Sequence, residues 1–116
     1  MRHRNKVKTL DRPKAAREMM LRNLASSIII YEKVKTTEAK AKVVKPIVEN
    51  LITTARKGDL TARRALLAYL PQQLAVKKLM DVVGARYKDR QGGYTRIVKL
   101  GVRAGDAAKL VQIELV

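Results

Sequence analysis

Along its first half the chain repeats apolar residues at spacings of three and four, the signature of helices that bury one stripe. After Pro13, the residues Ala16, Met20, Leu24, Ser27, Ile28 and Tyr31 recur in this way and predict a helix over 13–30. Proline is tolerated in a first turn because its missing N–H has no intrahelical partner there. Within this helix Met19 and Met20 read as core filler. Lys33-Val34-Lys35-Thr36 alternates polar and apolar residues and predicts a short strand, and Thr37 ahead of Glu38 supplies an N-cap. From Glu38 onward the stripe Val44, Ile47, Val48, Leu51, Ile52 and Ala55 defines a second helix, with Lys40, Lys42 and Lys45 off it. Pro46 falls inside this run. A proline there removes a hydrogen bond and crowds the carbonyl one turn back at about 3 kcal/mol, so a kink near 42–45, or a helix beginning there, is expected.

Gly58 closes the second helix and Asp59 caps a third, whose leucines at 60, 66, 67 and 70 are expected to point inward until Pro71 stops it. A fourth helix over 73–83 presents Leu74, Leu79, Met80 and Val83 and ends at Gly84. Beyond residue 94 the period changes from helical to alternating. Residues 95–100 and 108–116 read as strands, the second with Val111, Ile113 and Leu115 set against Gln112 and Glu114. Two strands alone are marginal, so 33–36 is the expected third partner. The pattern as a whole predicts an α+β fold: a single domain of about four helices on a small three-stranded mixed sheet over 13–116, preceded by an extended basic arm over 1–12.

Composition narrows what such a domain can do. The chain has 116 residues, enough for one modest core, and carries 26 Lys and Arg against 10 Asp and Glu, a formal net charge of +16. Self-repulsion on that scale opposes compaction unless a polyanion neutralises it. A membrane surface would require a long apolar span or a strongly amphipathic basic helix. The longest apolar run, 25–31, is interrupted by Ser26 and Ser27, and the N-terminus lacks the pattern of a signal peptide, so the protein is expected to stay in the compartment that makes it. With no cysteine, thiolate chemistry and cysteine-held zinc are excluded. His3 is the only histidine, and it has no partner base at a fixed spacing. The acids are scattered without metal-binding spacing. No enzyme, cofactor, metal or small-molecule substrate is expected.

The positive charge is concentrated in two places. Residues 1–17 hold seven basic side chains and one acid, and residues 86–103 hold six and one. The second cluster brackets Gln91-Gly92-Gly93-Tyr94, where a glycine pair allows positive φ and close approach of another backbone. An arm and a glycine turn suit irregular folded RNA better than the regular phosphates of a duplex. Arg12 in the arm, Lys35 in the first strand, Lys40 in the second helix and Arg63-Arg64 in the third are further candidate contacts. The alternative is a non-specific DNA-binding or nucleoid-type protein, in which helices three and four would mimic a helix-turn-helix pair. Only Lys77 and Lys78 would serve its recognition helix, too few for that role.

Several motifs, in order, resemble one family: Met1-Arg2-His3, Lys35-Thr36-Thr37 with Ala39-Lys40-Ala41-Lys42, Leu51-Ile52-Thr53, Arg63-Arg64, Arg90 with Gly92-Gly93-Tyr94-Thr95-Arg96, Gly105-Asp106-Ala107 and Glu114-Leu115-Val116. The family is the seventeenth protein of the bacterial large ribosomal subunit. The resemblance implies a non-enzymatic cytoplasmic ribosomal constituent. Its partners would be large-subunit rRNA and neighbouring large-subunit proteins, near the mouth of the peptide exit tunnel. By position it implies RNA contacts at Arg2, His3, Arg4, Lys6 and Lys8 in the arm and at Arg90, Gly92, Gly93, Tyr94 and Arg96 around the turn. Departures include Asp11, where asparagine is commoner, and Leu79-Met80 in place of a Leu-Phe; Asp11 would serve helix entry, since phosphate would repel it.

Overall fold

A computed structural model describes residue 10 and residues 12–116. The arm candidates Arg2, His3, Arg4, Lys6 and Lys8, and Asp11, lie outside the described residues. Helix α1 spans Lys14–Tyr31, strand β1 Lys33–Thr37, helix α2 Glu38–Arg56 and helix α3 Leu60–Tyr69. Helix α4, Gln73–Lys78, runs on through a π-helical stretch, Leu79–Val83, into a last turn, α5, Gly84–Arg86. Strands β2, Thr95–Val102, and β3, Lys109–Leu115, follow. The α+β architecture is as the pattern predicts. The sheet, however, is antiparallel throughout, with order β1-β3-β2, rather than mixed. The β2–β3 hairpin reverses direction once, and β1 pairs against the far side of β3, so no parallel crossover is needed.

The core lies between the inner face of the sheet and the helices. Leu21, Ala25, Ile28 and Ile29 of α1 meet Ala41, Val44, Val48 and Ile52 of α2, and Val111 and Ile113 of β3 close the layer. In α1 the buried stripe is displaced in part from the expected one: Ile28 is buried and Met20 and Leu24 pack against the core, whereas Ala16 and Tyr31 are exposed, as is Met19. Helix α2 passes through Pro46 without a break. Pro46 and Lys42, four residues earlier, are both exposed, so the missing hydrogen bond falls on the solvent side of the helix. Thr37 occupies the N-cap of α2 without a side-chain cap bond, whereas Asp59 caps α3 by accepting from the Ala62 N–H at 2.7 Å.

Three expectations for the later helices need correction. In α3 the inward residues are Ala62 and Leu66, while Leu60 and Leu67 point to solvent. At 100° per residue Ala62, Leu66 and Tyr69 form one stripe, and Leu60 and Leu67 fall opposite to it. In α4 Leu74 is exposed, and Ala75 and Val76 are buried instead. Gly84 does not end this helix. Its φ and ψ are helical and the chain continues to Arg86, with the glycine pressed against the backbone of α2.

The junction of α1 and β1 is held by an ionic hub. Glu32 adopts the left-handed conformation at φ +64°, and its N–H donates to the Ile28 carbonyl at 2.8 Å. Non-glycine residues adopt this conformation at a cost that the surroundings must offset. The carboxylate accepts a forked pair from Arg86, 2.5 and 3.1 Å, and meets Lys78 Nζ at 2.9 Å. Lys78 also donates to the Ile30 carbonyl at 2.8 Å, and Leu115 donates to the Glu32 carbonyl at 3.0 Å. These contacts join α1, α4, α5 and the end of β3 around one acid.

The Arg86 hydrogen bond, followed by that of Lys78, lowers the Glu32 carboxyl from 4.5 to about 2. A folded-state pKa below the unfolded value adds stability that is complete above about pH 4.5 and fades as the pH falls toward 2. The side chain is 34% exposed. Screening at that exposure reduces the linkage energy to about 1–2 kcal/mol. Urea midpoints measured from pH 7 to pH 2 are expected to fall more steeply for the native chain than for Glu32→Gln. Parallel curves would show that the hub carries no such linkage.

Candidate nucleic-acid interface

Strand alternation decides which cations the sheet displays. Val34 and Thr36 of β1 share a face with Val111 and Ile113 of β3, toward the helices. Lys33 and Lys35 therefore lie on the opposite, open face. In register across that face stand Lys33, Glu114 and Arg96 in one row, and Lys35, Gln112 and Val98 in the next. The fold thus brings Lys33 and Arg96 to the two outer strands of one surface, about 10 Å apart by two strand spacings, with Lys35 two residues further along β1. Glu114 sits almost buried between them, with Arg96 Nε 3.3 Å from its Oε1. Part of the Arg96 charge is spent on that acid, while Lys33 and Lys35 have no ion-pair partner among the described residues.

The glycine turn opens at the N-terminal end of β2. Gly92 and Gly93 have φ of +88° and +64°, which side chains with a Cβ adopt only with strain. A Cβ at Gly92 would meet nothing within 4 Å, so no internal neighbour requires glycine there, only the backbone angle. Arg90, Gly92 and Gly93 are all exposed, and Arg90 Nε lies 3.4 Å from the Gly92 carbonyl. Tyr94 is not available for base stacking. Its ring is 1% exposed and tilted against Tyr87 at 5.1 Å between centroids. Its hydroxyl donates to the Arg90 carbonyl and accepts from Arg56, both at 3.0 Å, while Arg56 also donates to the Lys88 carbonyl at 2.9 Å. Tyr94 and Arg56 hold the turn from beneath, so Tyr94 supports the site without forming its surface.

A second basic locus lies where α2 begins. Arg12, Lys40 and Arg103, from three separate segments, line an open groove of about 440 Å³ together with Leu10, Thr37 and Ala39. Arg103 is paired with Asp106, which lowers that carboxyl to about 2. Lys99 and Lys109 flank the neighbouring hollow beside Gly101 and Leu110. Arg103, Lys99 and Lys109 are absent from the set chosen on sequence. The available signal was topological: once β1 pairs with β3, Thr37 lies opposite Leu110, and the β2–β3 loop must return beside the start of α2.

Arg63 and Arg64 are exposed on α3, which packs on α2 and α4. Lys78 is engaged with Glu32, which leaves Lys77 as the remaining cation of the imagined recognition helix. Among the described residues no group of three or more His, Cys, Asp or Glu could hold a metal, and no helix is long and apolar enough to cross a membrane.

An antiparallel sheet with one face on helices and a lysine-lined open face, bordered by a basic glycine turn, defines a small cationic α+β protein. The chain belongs to the ribosomal protein L17 family, whose model matches residues 20–116. It is 55% identical over 107 residues to the large ribosomal subunit protein bL17 of Thermoanaerobacter sp. (strain X514), covering 92% of this chain and 96% of that protein. It is 53% identical over all 116 residues to the bL17 protein of Paracoccus denitrificans, covering 83% of that protein, and 47% identical over 116 residues to that of Rickettsia typhi, covering 85%. Membership makes this a non-enzymatic ribosomal protein acting in translation, in agreement with the family resemblance of its motifs.

Proposed function

We propose that the chain is a structural constituent of the bacterial large ribosomal subunit that binds and stabilises large-subunit rRNA. The observation that carries this reading is the open sheet face, where Lys33 and Lys35 on one outer strand stand across β3 from the other outer strand, which carries Arg96 and follows the Arg90-Gly92-Gly93 turn. Lysines along one ridge neutralise backbone phosphates, and the turn offers exposed backbone with no side chain in the way. The groove of Arg12, Lys40 and Arg103 adds a second basic surface where α2 begins. That arm, with Arg2, His3, Arg4, Lys6 and Lys8, is proposed to lie along RNA, and the subunit location near the peptide exit tunnel rests on the family resemblance.

The test is a salt series with the purified chain on large-subunit rRNA and on a length-matched DNA duplex. Retention on rRNA at salt that releases the duplex is the expected result. Equal slopes and equal release points would reduce the activity to recognition of phosphate density. Within the rRNA series, Lys35→Ala is expected to lower the magnitude of the log–log salt slope by about 0.7–0.9, one phosphate's share. Arg96→Ala should lower it by less, because Glu114 already takes part of that charge. An Arg96 effect equal to that of Lys35 would show that the ion pair opens on binding.

A further inference from the structure

Exposed apolar side chains fall mainly in two stretches, Val98, Leu100 and Val102 on β2 and a second set from α3 to the π-helical stretch, where the charge is low. Residues 58–85 carry four cations and two acids, only +2 of the chain's +16. Yet they supply four of the ten large apolar side chains that are exposed among the described residues: Leu60 at 61%, Leu67 at 43%, Leu74 at 62% and Val82 at 46%. On α3, steps of 100° put Leu60 and Leu67 within about 20° of each other, with Arg63 on one flank and Arg64 on the other. Around the helix from them, past Ala68, opens a groove of about 300 Å³ between α2 and α3, lined mainly by Ile47, Leu51, Ala65 and Tyr69. Phosphate gains nothing from leucine, whereas exposed leucines gain free energy when another apolar surface covers them. A stripe of this kind between two arginines matches a protein surface with apolar anchors and acids at its edge.

We propose that the outer face of α3, with the groove beside it, docks a neighbouring protein through an apolar segment whose acids pair with Arg63 and Arg64. The inference rests on the large-subunit reading above for its setting, not for its chemistry. A second copy of this chain fits poorly. A two-fold contact would set Arg63 and Arg64 against their own equivalents, between two bodies of +16 each.

The chain has no cysteine, so single thiols can be placed at will. Leu67→Cys and Lys35→Cys, each carrying a thiol-linked photocrosslinker, are assembled into large subunits reconstituted from rRNA and the full protein set. Leu67→Cys is expected to link to one protein, through a peptide containing apolar residues and Asp or Glu, and Lys35→Cys to rRNA. An rRNA adduct, a self-adduct, or no adduct from an incorporated Leu67→Cys chain would overturn the docking proposal. Failure of Lys35→Cys to reach rRNA would instead count against the sheet as the RNA face and leave the docking result standing.

A second measurement uses Leu60→Gln/Leu67→Gln, whose positions are exposed and whose urea midpoint should match the native chain. Its affinity for naked rRNA is expected to stay within about twofold, while its occupancy in competition with the native chain during reconstitution falls about tenfold. Equal loss on naked rRNA, or no loss of occupancy, would overturn the proposal.

Discussion

Tyr94→Ala is expected to destabilise the domain by about 3–5 kcal/mol, the range for emptying a buried aromatic site. The residue is among the largest fully buried side chains, and its loss leaves a void against Tyr87 and removes the partner of Arg56 Nη1 and of the Arg90 carbonyl together. For a domain near 100 residues, that shift lowers Tm by roughly 15–30 °C. Tyr94→Phe retains the ring and removes only the hydroxyl, so it should cost about 1–3 kcal/mol, the penalty for leaving buried partners unpaired. The informative comparison is between stability and binding. For Tyr94→Phe, which remains folded, rRNA affinity is expected to change only as far as the Arg90-Gly93 turn loosens, by less than threefold at moderate salt. A large affinity loss with an unchanged urea midpoint would mean that the ring leaves the core to stack on RNA.

The same residue shows how far the sequence is informative. Tyr94 sits beside two glycines and among cations, and from that local pattern a stacking role follows as readily as a structural one. What decides is Arg56, separated from it by 38 positions and brought beneath the turn by α2. Lys78 and Arg86 behave in the same way. Each reads as a surface cation, and each is committed to Glu32 by packing between elements distant in the chain. Helices and strands were legible because their periods are local, and so was the membership of 33–36 in the sheet, because a two-stranded hairpin needs a third partner; that it lies beside the last strand emerges only from the fold. The direction a leucine faces was less legible. With Leu60, Leu66, Leu67 and Leu70 within eleven residues, apolar residues cover more of the circumference than one core can bury, and the sequence alone does not say which remain outside. On the sheet, alternation alone places Lys33 and Lys35 on one face, but the acid that partly neutralises Arg96 emerges only from the register of β3.

Gly84 is the position where the smallest change should have the widest effect. A Cβ there would lie 2.9 Å from the Ala55 carbonyl oxygen, 3.1 Å from that of Leu79 and 3.3 Å from the Ala55 carbonyl carbon. All three atoms belong to backbone, so no side chain can swing aside, and either α2 or the last turn must move. The π-helical stretch is built around this approach. The Gly84 N–H donates to the Leu79 carbonyl across the wider turn, which widens the helix where it presses on α2. Gly84→Ala is therefore expected to cost about 1–3 kcal/mol despite the better helix propensity of alanine, and Gly84→Val more. Displacing this turn also shifts Arg86 from Glu32 and Tyr87 from Tyr94, two and three residues further on. Loss of stability in Gly84→Ala should accordingly be accompanied by a flatter acid response, since the Glu32 hub loses its strongest partner. Urea titrations at pH 7 and pH 3 on the native chain and the variant read both effects. If Gly84→Ala is as stable as the native chain, the close contact with Ala55 relaxes at no cost, and glycine there serves no packing need.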